Sequence, residues 1–272
     1  MANNDKAFIK FLGVRGSVPV SGAEFVRYGG DTSCVLVRLG GEVILLDAGT
    51  GMLAGEAELR AETGRLSILL THPHIDHIQG LCSSTLMYEP GRAVDIYAAP
   101  RRGLSAQGQI EALMSYPLWP VGPEGFAAKV VFHDITAEPF TIGRVRVDNM
   151  ESDHPGGSTI FRLSSRGVSI VYATDFEPRA EYPARLEAFA RDCSLLIIDA
   201  QYSAQEYEQR VGWGHSSWEQ SAELGQRCAA RRVMLFHHEP RRTDQELDAI
   251  QRRVREEYPR CAVARAGEEI TL

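Results

Sequence analysis

The chain has 272 residues, 44% of them hydrophobic, and a formal net charge of -7 at pH 7. That length can bury one large core, or less readily two, and the acidic balance argues against adhesion to long nucleic acids, which are held chiefly by neutralising phosphates. Five cysteines with no CxxC spacing exclude a disulfide framework and a separate thiolate zinc site, and residues 1–6 lack a basic segment followed by an apolar one. No apolar run approaches the ~20 residues of a bilayer span, so a cytoplasmic protein without a membrane partner is expected.

In chain order, hairpin-like segments come first, around Phe8 to Gly16 and Thr32 to Val43. Short apolar runs bounded by Gly, Asp or Pro then recur, and these read as buried strands. Each ends beside a residue able to bind metal or orient a ligand. Glu42 to Leu46 runs into Asp47, Ser67 to Leu70 into His72, Ser169 to Tyr172 toward Asp175, Ser194 to Ile198 into Asp199, and Arg232 to Phe236 into His237 and His238. A later pair, Phe140 to Asn149 and Thr159 to Ser164, predicts two further strands. Helical spacing is clearest at Ser216 to Ala230 and Asp244 to Glu257. No repeat or linker is visible, and one domain over 1–272 is expected. The arginine pairs, Arg101-Arg102 and Arg241-Arg242 among them, read as solvated faces.

The densest signal is His72-Pro73-His74-Ile75-Asp76-His77, directly after Leu66-Ser67-Ile68-Leu69-Leu70. Imidazoles and a carboxylate at the mouth of a buried strand lose hydration with no return unless a cation or a tight hydrogen-bond network takes them up. A merely His-rich surface loop is the alternative, and with only 8 histidines in the chain it is the weaker one. The remaining ligands should come from other strand ends, and His154, Asp175 and His237 are the candidates, giving seven in all. Read alone, His154 in Ser152-Asp153-His154-Pro155-Gly156-Gly157 would be a turn histidine. There is no GxSxG elbow and no GxxxxGK[ST] loop.

With His72-Pro73-His74-Ile75-Asp76-His77 standing as HxHxDH, the sequence resembles the metallo-β-lactamase superfamily. It is most like the phosphodiesterase branch that includes transfer-RNA 3′-end nucleases, phosphoribosyl cyclic phosphodiesterases and related cyclic-nucleotide phosphodiesterases. Gly13-Val14-Arg15-Gly16-Ser17-Val18-Pro19, Asp31-Thr32-Ser33-Cys34, Leu45 to Gly51 and Gly214-His215-Ser216-Ser217 carry the likeness further. The resemblance implies an α/β fold, a four-layer αββα sandwich of two mixed sheets, and a dinuclear centre, two zinc ions by expectation, with manganese, iron or nickel compatible with the same ligands. His72, His74 and His154 would hold one metal, Asp76, His77 and His237 the other, and Asp175 would bridge. Two cations about 3.5–4 Å apart lower the pKa of a shared water and neutralise charge on a phosphoryl group, so the implied nucleophile is a bridging hydroxide. The choice of His237 over His238 rests on matching His237-His238-Glu239-Pro240 to the family's last ligand motif.

In that branch a strand-end carboxylate approaches the histidine of Gly-His-Ser-Ser, here Asp199 and His215. A carboxylate beside imidazole favours the protonated ring, so His215 would serve as general acid or stabilise transition-state charge; the alternative is a hydrogen bond that only fixes a loop. Asp76, His215 and Asp199 are thus the catalytic candidates, Asp47 a support for the His72–His77 loop, and His133 structural. Transfer-RNA nucleases carry a protruding arm, commonly inserted between the ligands matching His154 and Asp175, and only 20 residues lie there in this chain. The expected substrate is a small or cyclic phosphodiester, such as a cyclic nucleotide or cyclic phosphoribose. A thioester or lactone hydrolase, an RNA 3′-end endonuclease and a non-catalytic, metal-retaining nucleotide-binding module are the alternatives. Residues 82–126, with Tyr88, Tyr116 and Trp119, are expected to form a substrate lid; these aromatics would otherwise be core or a dimer contact. Trp213 and Trp218 flank His215 with the same ambiguity, and a homodimer is the expected assembly.

Overall fold

Alternation along the strands decides the architecture, seen here in a computed structural model that describes residues 7–272. In β3 (Glu42–Leu46) Ile44 and Leu46 face one apolar cluster and Leu45 another. In β10 (Val168–Ala173) Ile170 and Tyr172 join that first cluster while Val171 and Ala173 turn to a third. Both sheets are therefore buried on both faces, which is why their strands read as unbroken apolar runs. Each fully buried Leu, Ile or Phe contributes roughly 1.5–3 kcal/mol relative to exposure.

Sheet one has seven strands in the order β14-β1-β2-β3-β4-β5-β6. These are β1 (Phe8–Gly13), β2 (Cys34–Leu39), β3, β4 (Leu66–Leu70), β5 (Ala93–Ala98), β6 (Lys129–Asp134) and β14 (Glu269–Thr271). Sheet two runs β13-β12-β11-β10-β9-β8-β7. Its members are β7 (Phe140–Ile142), β8 (Val145–Ser152), β9 (Ser158–Ser165), β10, β11 (Leu195–Asp199), β12 (Val233–Phe236) and β13 (Cys261–Val263). Both sheets are mixed: β3 to β6 are parallel and so are β10 to β13, while β1 to β3 and β7 to β10 pair antiparallel. The helices are α1 (Gly51–Ala54), α2 (Glu56–Ala61), α3 (Ile75–Ser83), α4 (Ala106–Leu113), α5 (Tyr182–Ala190), α6 (Ala204–Glu208), α7 (Trp218–Arg227) and α8 (Asp244–Glu257).

Phe11, Val37, Phe161, Ile197 and Phe236 fill the space between the sheets. Ile78 and Leu81 of α3 and Ile110 of α4 cover the outer face of sheet one; Leu186 of α5, Ala222 of α7 and Val254 of α8 cover that of sheet two. This is the expected αββα sandwich. Helices α7 and α8 start on Ser217 and Thr243, each closing a capping box with Gln220 and Glu246. Among the described residues no helix is long and apolar enough to cross a membrane, and all five cysteines are free and buried. Residues 1–6, where a leader segment was sought in the sequence, lie outside the described residues.

The 82–126 segment is not a continuous lid, which corrects the expectation from sequence. Ala93–Ala98 is an interior strand bonded to β4 on one side and β6 on the other, and Trp119 and Phe126 pack on the core beneath α3 and α4. Tyr88 stands edge-on to Phe126 and donates to the Cys82 carbonyl, whereas Tyr116 is fully open to solvent. Trp218 is core, with Arg253 over its ring, and Trp213 is exposed beside Arg210. His133 stacks on Tyr97 and meets Asp95 at 3.2 Å. Between His154 and Asp175 the chain makes only β9, a turn at Arg166-Gly167 and β10.

Candidate metal centre

Every candidate except His215, which lies in the loop between α6 and α7, stands at or just past the carboxyl end of a strand, and the two sheets bring those ends to one edge of the sandwich. Asp47 follows β3, His72 to His77 follow β4, His154 follows β8, Asp175 follows β10, Asp199 ends β11, and His237 follows β12. Asp47, Asp175 and His237 take positive φ angles of 59°, 53° and 61°. That left-handed backbone costs each about 1–2 kcal/mol and turns its side chain into the centre.

Two groups of donors converge. In one, His77 Nε2 and His237 Nε2 are 3.3 Å apart, and each lies 3.2 Å from Asp76 Oδ2. Asp175 Oδ2 is 3.2 Å from His77 Nε2 and 3.3 Å from His237 Nε2. A tetrahedral site with bonds of ~2.0–2.1 Å has ligand-to-ligand edges of about 3.3–3.4 Å, so this spacing fits one cation. In the other group His74 Nδ1 lies 2.7 Å from His72 Nε2 and 3.1 Å from His154 Nε2. Asp175 Oδ1 faces this group, at 3.6 Å from His72 Nε2 and 3.8 Å from His154 Nε2. One carboxylate thus presents an oxygen to each group.

The outer nitrogens explain why the inner ones are bare. His77 Nδ1 donates to Asp47 Oδ2 at 2.8 Å, His154 Nδ1 to the Gly214 carbonyl at 3.0 Å, and His237 Nδ1 to Gln201 Oε1 at 3.1 Å. His72 Nδ1 donates to Thr71 Oγ1 at 3.0 Å, because that hydroxyl itself donates to Asp47. Each ring's proton is held outward, leaving an inward lone pair. Four such lone pairs and two carboxylates at contact distance repel one another, and a cation, or protons, must offset them.

Without a cation, protons do so. Burial opposes ionisation of Asp76 and Asp175, yet His77 and His237 hold both carboxyls well below the usual carboxylate range. Burial also disfavours a charged His77, but Asp175, Asp76 and Asp47 carry it well above the ordinary imidazole value. His237 is raised to about 9 against its own burial, by Asp175 and a hydrogen bond to Asp76. Burial pushes His72 well down, helped by His77, and lowers His74 and His154 as well. The donor set is of the right chemistry and spacing for two cations.

His215 sits over the centre, stacked on His237 with ring centroids 5.0 Å apart. Its Nδ1 meets Asp199 Oδ2 at 2.8 Å, and Asp199 also accepts from the backbone of Ser216, Gln201 and Asp175. His215, Asp175 and His237 also form a third possible metal-binding group, but the His215 nitrogen facing Asp175, Nδ1 at 3.9 Å, is held by Asp199. A cavity of about 260 Å³ is lined by Ser17, His74, Ile75, Asp76, Asp175, His215 and His237. A larger hollow of about 400 Å³ lined by Arg231, Arg232 and Arg260 opens at the opposite strand ends, where no metal-ligating side chain lines it.

Several participants are not among the site residues expected from the sequence. Ser17, at φ 61°, donates its backbone N–H to Asp76 Oδ2 at 2.7 Å, which places the Gly13 to Pro19 turn in the cavity wall. Gly16 beside it has no room for a side chain, since a Cβ would stand 2.4 Å from the His237 ring. Tyr172 reaches across the sandwich to Asp47 at 2.9 Å. Buried Glu177 accepts from the backbone of Gly212 and Gly214 and from Tyr207, so it shapes the loop that carries His215 and caps His154. His238 points away, donating to the Ala264 carbonyl at 2.9 Å.

A sandwich of two mixed sheets with histidines and aspartates clustered at one edge has the donor set of a metal-dependent enzyme. The chain belongs to the beta-lactamase superfamily, whose domain model matches residues 42–238. It is 24% identical over 284 residues to ribonuclease Z of Methanopyrus kandleri, covering 95% of each chain. Against ribonuclease Z of Pyrococcus furiosus it is 25% identical over 270 residues, covering 78% of this chain and 82% of that protein. In structure it is similar to a diphosphatase of the PhnP family, with a TM-score of 0.73 at 18% identity and 98% and 97% coverage. The metallo-beta-lactamase fold protein YhfI of Bacillus subtilis gives 0.72 at 16% identity, with 98% and 100% coverage.

Proposed function

We propose that this protein is a dinuclear zinc phosphodiesterase acting on a small or cyclic phosphodiester, with its whole described chain as one catalytic unit. The observation that carries the reading is the pairing of a two-sided donor cluster with His215, buttressed by Asp199, at one small cavity. His72, His74 and His154 would hold one ion, Asp76, His77 and His237 the second, and Asp175 would bridge. Bound metal would supply Lewis acidity toward a phosphoryl oxygen and a readily ionised water.

The chain's own residues do the rest. Asp47, Thr71, Gln201 and Gly214 fix the tautomers of four of the five ligand rings, those of His77, His72, His237 and His154. Asp199 is a positioning residue: it fixes the His215 ring through Nδ1. His215 is the group placed to hand a proton to the departing alkoxide. The 260 Å³ cavity suits a small ester. With manganese or zinc restored, the protein should hydrolyse bis(p-nitrophenyl) phosphate, and His215→Ala should lower kcat while both metals remain. Faster turnover of an acyl thioester or lactone would sink the phosphodiester reading.

RNA 3′-end cleavage is the second reading, favoured by the ribonuclease Z relatives. Against it stands the short β9–turn–β10 connection between His154 and Asp175, which leaves no room there for a substrate-gripping arm. Endonucleolytic cleavage of a transfer-RNA precursor at rates above those for cyclic nucleotides would decide for RNA.

A further inference from the structure

Among the described residues lining the 260 Å³ cavity, His74, Asp76, Asp175 and His237 belong to the donor cluster and Ile75 is apolar. His215 and Ser17 remain as the polar side chains free to touch a substrate there. His215 is placed to serve the departing alkoxide. The phosphodiesterase reading gives Ser17 no task. Nor does the fold need a serine at this position. Its φ is 61°, and the Val18 N–H closes back onto the Gly16 carbonyl at 2.7 Å, a three-residue turn of a rare and strained kind. Glycine would take that backbone without strain. The turn is held by main-chain donors that any residue but proline would supply: Gly16 N–H bonds the His238 carbonyl at 3.0 Å, and Ser17 N–H bonds Asp76 Oδ2 at 2.7 Å.

The side chain makes one hydrogen bond, and its direction is fixed. Gln201 Oε1 accepts from His237 Nδ1 at 3.1 Å, so the amide has only its Nε2 hydrogens to offer, and Nε2 donates to Ser17 Oγ at 3.3 Å. The serine oxygen thus receives a proton and still carries its own. Among the described residues no group accepts that proton. A rigid turn, packed so closely on His237 that Gly16 has no room for a Cβ, therefore holds an unused hydroxyl donor in the cavity wall. Donors fixed in advance, and unmatched by any protein acceptor, are what stabilises negative charge arriving with a ligand.

We infer that the Ser17 hydroxyl donates to one nonbridging oxygen of the scissile phosphate and so tells its two nonbridging oxygens apart. The inference rests on the phosphodiesterase reading and adds a stereochemical demand to it. Ser17→Gly is the test variant, because it removes the hydroxyl and the strain together and keeps both main-chain bonds. The substrates, on metal-loaded protein, are thymidine 5′-(p-nitrophenyl phosphate) and the two diastereomers of its phosphorothioate, in which sulfur, a poor acceptor, replaces one nonbridging oxygen. Ser17→Gly should retain both metals and unfold in urea no earlier than wild type. Its kcat/KM should fall about tenfold on the oxygen ester, the worth of one hydrogen bond to a charged acceptor, and equally on one diastereomer. On the other diastereomer, where sulfur has already removed the contact, the fall should stay under about twofold. Equal falls on both diastereomers, an unchanged rate on the oxygen ester, or loss of metal overturns the inference. If wild-type protein cleaves none of these esters, the phosphodiesterase reading fails, and calorimetry with inorganic phosphate on the metal-loaded protein still decides the contact. Binding about tenfold weaker in Ser17→Gly upholds it; equal affinity refutes it.

Discussion

Asp47→Asn tests how far the centre depends on a residue that is no ligand. Asp47 is fully buried and accepts from the Thr71 backbone at 2.8 Å, the Thr71 hydroxyl, His77 Nδ1 at 2.8 Å and the Tyr172 hydroxyl at 2.9 Å. Tyr172 stays protonated, since burial and Asp47 itself raise its pKa well above the ordinary phenol value. Asparagine has nearly the same shape but offers one acceptor and one donor, so its amide N–H meets either His77 Nδ1 or the tyrosine hydroxyl. The ring, which without metal carries protons on both nitrogens, can answer by giving up the Nδ1 proton and keeping the one on Nε2. That proton then points at Asp76, Asp175 and His237, where a metal bond would form. Loss of charge-assisted hydrogen bonds, at roughly 1.5–3 kcal/mol each, leaves a net destabilisation of the metal-free protein of about 2–4 kcal/mol. Affinity for the ion at His77 should fall 10- to 100-fold or more. Chelator competition measures the affinity and urea unfolding the stability. If Asp47→Asn binds both metals within threefold of wild type, the tautomer argument is wrong.

Other predictions follow from the same geometry. His215→Ala should lower kcat by about 10²- to 10⁴-fold with two metals retained; loss of metal would make the residue structural. Glu177→Ala strands the buried N–H of Gly214 and removes the acceptor of the Gly212 N–H, and should cost about 1–3 kcal/mol and weaken the metal at His154, whereas unchanged affinity would detach that loop from the centre. Because the metal-free His237 has its pKa raised to about 9, metal must displace a proton there. Calorimetry in buffers of different ionisation enthalpy should show proton release, with apparent affinity rising with pH up to about 9; no release would contradict the charge pattern. His238 is buried beside Arg15, and burial first, then that charge, lower its pKa to about 3. The unfolded chain therefore takes up a proton near the ordinary imidazole pKa of ~6.5 while the folded one does not. Stability from this group is full above pH ~6.5 and lost as pH falls toward about 3; His238→Gln should flatten that slope, and an unaltered slope would refute it.

What the sequence discloses is what lies next to itself in the chain. The His72 to His77 cluster is contiguous, and His154, Asp175, Asp199 and His237 stand beside strand ends that hydrophobic periodicity locates. Tyr172, Gln201 and Glu177 reach the centre only through packing between strands, so nothing in their neighbours distinguishes them. Ser17 depends on a left-handed turn that its residue type does not announce. The Ala93–Ala98 strand was hidden because Asp95 and Tyr97 interrupt its apolar run. The arginine pairs misled for another reason: Arg101 and Arg242 have side chains only 11% and 10% exposed, since long stems can be buried while their heads find partners.

The most direct test of the account is elemental analysis of folded protein purified without added chelator, alongside Asp175→Asn. Two transition-metal ions per chain, falling to one or fewer in the variant, is the expected result. Folded wild-type protein with no tightly held metal, or an Asp175→Asn variant that keeps both ions, would contradict it.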